Sequence, residues 1–189
     1  MTTSTSIARR QVFRGKVLDV ALETVELPNG RTAELEIIRH PGGAAAVALD
    51  TEGRVCLLHQ FRHAADGWLW ELPAGKIDPG EEPSATARRE LAEEAGVEAA
   101  DWMDLGRLNS SPGVFTEVIY LYLARELRPA RQEHDVHEVI EIHWVPFQQA
   151  LDWCMDGAIT DAKTLIGLFR AARLLNDPAG SAAGRPAAT

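Results

Sequence analysis

Glu90, Glu93 and Glu94 stand at i, i+3 and i+4. On a helix those spacings share one face, with Cβ atoms about 5–6 Å apart. Like charges so placed weaken a helix by a few tenths of a kcal/mol per pair, so the cluster needs compensation. Arg89 is an adjacent cation, and Glu81 brings a fourth carboxylate to the region. Two chemistries fit. One is a solvated acidic helix face with Arg88 and Arg89 as neighbours. The other is a cradle for a hard divalent cation. Mg²⁺ takes oxygen ligands at about 2.0–2.1 Å and keeps several waters. Carboxylates from adjacent turns can hold it and leave positions for phosphate oxygens and water. A cation held this way can orient an anionic ligand and acidify bound water.

The element that must carry this cluster is the clearest in the chain. Residues 83–95 predict a helix, with Pro83 in the first turn, an interior rich in Ala, Arg, Glu and Leu, and Gly96 as C-terminal cap. Ala87, Leu91 and Ala95 recur every four residues and face a core. Ahead of it the chain reads as strands. Residues 18–27 and the alternating Ala33, Leu35 and Ile37 predict a hairpin joined by Pro28-Asn29-Gly30. Apolar runs at 44–49, 55–60 and 69–72 predict further short strands. Past the helix, strands are expected at 102–108, 118–124 and 139–145, and helices at 147–155 and 165–175. This order implies an α/β domain with a mixed sheet covered by helices on both faces. The expected organisation is a flexible leader over 1–11, one domain over 12–176 and a disordered tail over 177–189. Within the domain, 12–40 is an N-terminal β-hairpin region and 41–176 the core.

Composition bounds the chemistry. The 189 residues suffice for one domain with a sizeable core. A net charge of −9 argues against nucleic acid as partner, because phosphate backbones need clustered Lys and Arg. No apolar run approaches the roughly 20 residues of a membrane helix. Cys56 and Cys154 lack metal or redox spacing, and no secretory signal is evident, so a reducing cytoplasm is expected.

The segment around the glutamates resembles a known signature. Gly75 is followed by five residues and Glu81, then by seven residues and Arg89-Glu90-Leu91-Ala92-Glu93-Glu94-Ala95-Gly96-Val97. These residues match every specified position of the Nudix box, and the chain is identified by them as a member of the Nudix hydrolases. The resemblance implies an α/β/α sandwich and a metal-dependent diphosphate hydrolysis. It makes Glu90 and Glu94 metal ligands, with Glu93 as a further ligand or a catalytic, water-holding carboxylate, and with the Ala74 carbonyl as a last ligand. Arg89 orients the glutamates, Glu81 braces the box, and Gly75 and Gly96 serve backbone geometry. The implied cofactor is Mg²⁺, with Mn²⁺ as the alternative.

Other segments resemble the ADP-ribose pyrophosphatase subgroup. They are Trp70-Glu71-Leu72-Pro73-Ala74-Gly75, Gln60-Phe61-Arg62, and Ser111-Pro112-Gly113 with Thr116-Glu117 behind it. By this resemblance Arg62, Glu71, Ser111, Pro112 and Gly113 contact substrate and Glu117 is the general base, with Asp135 and Glu138 as rivals. The expected substrate is a small nucleoside diphosphate sugar, ADP-ribose first. GDP-mannose, another sugar nucleotide or a dinucleoside polyphosphate are alternatives, and a non-catalytic nucleotide sensor is a further one. Relatives in the subgroup imply a homodimer in which the N-terminal hairpin reaches the partner's active site. His134 and His137 have a spacing that admits zinc, although a solvated loop explains them better. An aromatic for the substrate base is sought among Phe13, Phe115 and the five tryptophans Trp68, Trp70, Trp102, Trp144 and Trp153.

Overall fold

The computed structural model describes residues 4–132 and 138–176. Its strands are β1 (Thr5–Arg14), β2 (Asp19–Glu26), β3 (Thr32–Arg39), β4 (Gly43–Ala48), β5 (Arg54–Arg62), β6 (Gly67–Glu71), β7 (Ala74–Lys76), β8 (Val97–Asn109), β9 (Val118–Pro129) and β10 (Ile140–Pro146). Its helices are α1 (Pro83–Ala95), α2 (Phe147–Asp156) and α3 (Ala162–Asn176).

The residues of β4 explain the layering. Gly-Ala-Ala-Ala-Val-Ala is buried at every position, as expected of a strand covered on both faces. Ala45 and Val47 enter one core with Leu121 and Leu123 of β9, Ala150 of α2, and Leu168 and Ala171 of α3. Ala46 and Ala48 enter a second core with Leu91 and Ala95 of α1. Helices therefore lie on both sides of the sheet, the α/β/α sandwich that the sequence predicts. The sheet order is β7-β4-β9-β8, with β4 and β9 parallel and the other pairs antiparallel. A second sheet, β10-β5-β6, shares both cores through Leu57 on one face and Leu58 on the other. The small side chains matter where α3 crosses. A Cβ on Gly167 would press on Leu72 at 2.7 Å and on Val47 at 3.2 Å.

The predicted hairpin is β2 and β3 in antiparallel register, closed around Gly30 at φ +77°. Residues 5–11 of the stretch expected to be a flexible leader belong instead to a strand. β1 pairs with β2 over most of its length. Its ten positions are all exposed, so no apolar alternation announced it, and backbone ladder bonds hold it. Strands β8 and β9 also run beyond their expected limits of 102–108 and 118–124, because their pairing continues to Val97 and Pro129. Strand β7 was not anticipated. It is three residues long, and pairing to β4 rather than residue type defines it. The expectations for His134, Asp135, His137 and the tail over 177–189 fall outside the described residues. Among the described residues no helix is long and apolar enough to cross a membrane.

Candidate active site

Helix α1 begins with Pro83 in its first turn, where a missing N–H costs nothing. It ends at Gly96 in the left-handed conformation, whose N–H returns to the Ala92 carbonyl at 3.0 Å. These two signals fix where the helix starts and stops; Glu90 then lies against Gly75 and Glu94 reaches the Ala74 N–H, both in β7.

Arg89 is the hub of the cluster. Its Nε and Nη2 donate to the two Glu81 oxygens at 3.0 and 3.1 Å. Its Nη1 donates to Glu90 at 2.7 Å and to Glu93 at 3.0 Å, and its Nη2 also reaches the Lys76 carbonyl at 3.3 Å. One guanidinium thus binds three carboxylates and the β7 backbone. The hydrogen bonds from Arg89 hold the Glu81 carboxyl at about 2, with further help from the Thr86 hydroxyl at 2.8 Å.

Glu94 behaves differently. It is buried and accepts the Ala74 N–H at 2.8 Å. Burial pushes its pKa up to about 8, against that hydrogen bond and with repulsion from Glu90 and Glu138. Burial also raises Glu90, opposed by Arg89. The Glu90 carboxylate lies directly over the Cα of Gly75, where any Cβ would collide with it.

This donor set suits a hard divalent cation in type: carboxylate oxygens on one helix face, two of them in surroundings that penalise an uncompensated negative charge. Among the described residues, however, no three His, Cys, Asp or Glu side chains are gathered closely enough to hold an ion. The reason is visible in the contacts. Arg89 draws Glu90 and Glu93 to itself, and Glu94 turns to the Ala74 N–H. A cation has to compete with Arg89 for these oxygens.

The box opens onto a cleft of about 440 Å³. Ala74, Gly75 and Glu94 form one wall, and Arg62, Glu117 and Glu138 also line it. Five segments far apart in sequence therefore converge on one space. Glu81 and Glu93 sit behind the wall on Arg89. Glu71 is buried beneath Arg62, which grips it with Nε at 2.8 Å and Nη2 at 2.9 Å. Ser111, Pro112 and Gly113 are exposed on the β8–β9 loop, while their neighbour Ser110 is the one that lines the cleft.

The loop that carries Glu117 is tied to β3. Ile38 N–H donates to the Val114 carbonyl at 2.7 Å, and Thr116 N–H donates to the Ile38 carbonyl at 2.9 Å. His40 follows β3, with its Nδ1 3.3 Å from Glu117 Oε1 and accepting the Gly42 N–H at 3.1 Å. Burial lowers the His40 pKa, although Glu117 opposes the shift.

Sequence reasoning missed His40, Ser110, Lys76, Asp161 and Lys163, all of which line the cleft. A signal existed for the last two. Asp161 accepts the Thr164 N–H at 3.0 Å and the Thr164 hydroxyl at 2.6 Å, so Asp161-Ala162-Lys163-Thr164 reads as the capped start of α3. None of the aromatics proposed for stacking lines the cleft among the described residues. Trp70 and Trp153 pack against one core and Trp102 and Trp144 against the other. Trp68 stacks on His59 at 4.9 Å, Phe115 tilts on His40 at 5.3 Å, and Phe13 is exposed.

Comparison with known proteins adds three observations. The NUDIX domain family model matches residues 39–165. The ADP-ribose pyrophosphatase of Bacillus subtilis (strain 168) is 40% identical over 161 residues, which cover 84% of this chain and 87% of that protein. The methanol dehydrogenase activator of Bacillus methanolicus is 36% identical over 167 residues, covering 86% and 89%. A crystal structure of an ADP compounds hydrolase superposes with a TM-score of 0.81 at 24% identity, covering 95% of this chain and 97% of that one, which supports the fold.

Proposed function

Since the chain belongs to the Nudix family and is a diphosphatase of that family, we propose that it hydrolyses ADP-ribose to AMP and ribose 5-phosphate with the aid of Mg²⁺. The carrying observation is one cleft lined both by Gly75 and Glu94 of the box and by Arg62. A diphosphate needs both, a place for cations and a fork for its oxygens.

Glu90, Glu94, Glu93 and the Ala74 carbonyl would hold the ion, Mg²⁺ by preference and Mn²⁺ as a substitute, once it draws Glu90 and Glu93 away from Arg89. When bound, it neutralises the diphosphate and makes water a better nucleophile. Arg62 spends Nε and Nη2 on Glu71 and keeps Nη1 for a phosphate oxygen. Glu117 accepts the proton as a water oxygen bonds to phosphorus and the bridging oxygen departs with its electron pair. The loop that carries Glu117 is anchored to β3 by the backbone bonds of Ile38 and Thr116. Glu138 lines the same space and is the rival base. The backbone at Ser111, Pro112 and Gly113 contacts the substrate at the mouth. The protein works as a homodimer, and its unpaired Cys56 and Cys154 suit a reducing cytoplasm.

The test is a panel of ADP-ribose, GDP-mannose, other sugar nucleotides and dinucleoside polyphosphates, compared by kcat/KM with Mg²⁺. Preferred release of AMP from ADP-ribose is the expected result. A higher kcat/KM on GDP-mannose moves the substrate, and calorimetric binding of ADP-ribose with no product moves the protein to a sensor.

A further inference from the structure

Arg62, Asp161 and Lys163 line the cleft and join with the buried Glu71 in a series of four ionic side chains. Lys163, in the first turn of α3, donates from Nζ to Glu71 Oε2 at 2.5 Å and to Asp161 Oδ2 at 3.0 Å. Glu71 in turn receives the Arg62 fork. The burial is uneven: Glu71 is 3% exposed and Lys163 11%, whereas Arg62 is 42% exposed. Two cations and two carboxylates balance, so the cluster carries no net charge.

Such a cluster does more than support the helix. Of the two cations, Arg62 is by far the more open to an incoming anion, while Lys163 lines the cleft with its Nζ spent on Glu71 and Asp161. An arginine side chain has several rotatable bonds, and holding it in one pose costs rotamer entropy at binding unless the protein has already fixed it. Glu71 fixes it here by accepting two parallel N–H bonds. Glu71 itself is fixed through Lys163, whose Nζ takes the outer side of the oxygen that faces Arg62 Nη2. The start of α3 is anchored by Asp161, whose carboxylate accepts the Thr164 N–H, and the Thr164 hydroxyl, which also donates to Asp161, accepts the Leu72 N–H at 2.9 Å, next to Glu71. The chain of contacts therefore runs from α3 to the end of β6 and on to the end of β5.

We propose that Lys163 is a positioning residue for substrate binding: through Glu71 it locks the Arg62 fork towards the diphosphate, without touching the substrate. This inference rests on the reading of the cleft as a diphosphate site.

The experiment combines kinetics with a measurement that needs no turnover. In K163M, KM for ADP-ribose rises roughly tenfold with kcat within about twofold, below the hundredfold that a 1 Å misplacement can cost. K163R restores KM. In an R62A background, K163M adds nothing further to KM, because there is no fork left to orient. In ¹H–¹⁵N spectra of the arginine side chains, the Arg62 Nε–H signal is protected from exchange in the native protein and loses that protection in K163M. K163M leaves Glu71 one cation short, so the charge-balanced K163M/E71Q is measured beside it and shows the same raised KM if the single variant fails to fold. A native KM in K163M or in K163M/E71Q overturns the proposal, as does an equal KM increase in the R62A background, which would mean that Lys163 meets the substrate directly. If the native protein does not act on ADP-ribose but the Arg62 signal still responds to K163M, the substrate assignment falls and the positioning role stands.

Discussion

The carboxylate of Glu90 rests on the Cα of Gly75 with no room for a side chain between them. Helix α1 and strand β7 approach this closely only because position 75 has no Cβ. G75A is therefore expected to push Glu90 off its place and lower kcat/KM by roughly a hundredfold, the cost of an ångström-scale displacement at a reacting centre. E90Q and E94Q should lower the rate by orders of magnitude while circular dichroism stays native. Full turnover in G75A would show that the Glu90 position does not matter to the chemistry.

Glu117 and Glu138 both line the cleft, and only one can be the base. Glu117 stands beside a loop segment anchored to β3 by backbone bonds, so it is held where it stands. E117Q is expected to lower kcat by about 10²–10⁴ with KM little changed. E138Q should keep kcat near the native value. The reverse pattern transfers the role to Glu138.

Glu71 sets an acid limit on stability. Burial alone raises its pKa, but the hydrogen bonds from Arg62 and the charge of Lys163 win and hold it at about 2, below the ordinary 4.5. A carboxyl depressed by folding contributes stability above its unfolded value and loses it as pH falls through the folded one. At roughly 1.4 kcal/mol per pKa unit the contribution is about 3 kcal/mol. Urea denaturation of the native protein should thus lose about that much more than E71Q between pH 4.5 and about 2. Parallel pH curves for the two proteins would contradict this.

Strand β1 leaves Ile7, Val12 and Phe13 more than half exposed, beside an apolar groove of about 490 Å³ lined by Val12, Val20, Leu22 and Val114. Apolar surface of this kind on an edge strand invites pairing. Light scattering on the full chain is expected to give a dimer, and V12D to give a smaller species with a lower, concentration-independent Tm. A fully active monomer would remove the assembly from the account.

The site was half legible in the sequence. The box was readable because one helix carries it, and Pro83 and Gly96 mark its ends in residue type alone. Arg62 was readable as a cation. Its pairing with Glu71 was not, because that depends on how β5 and β6 lie together. His40, Asp161 and Lys163 reach the cleft from remote segments, and no local pattern ties them to Gly75. Strand β1 was hidden for a different reason: its order comes from main-chain ladder bonds, which leave no trace in polarity.

The seam between β3 and the Glu117 loop is made by Ile38, Val114 and Thr116 through amide and carbonyl groups. Peptide units are the same whatever side chain they bear. Replacements other than proline at Ile38 and Val114 can therefore accumulate without removing these backbone bonds, although Thr116 also accepts the His40 N–H through its hydroxyl at 3.1 Å, whereas deleting a single residue on either side would put every amide out of step with its acceptor. Insertion and deletion scanning, rather than alanine scanning, is the way to make this part of the molecule reveal its importance.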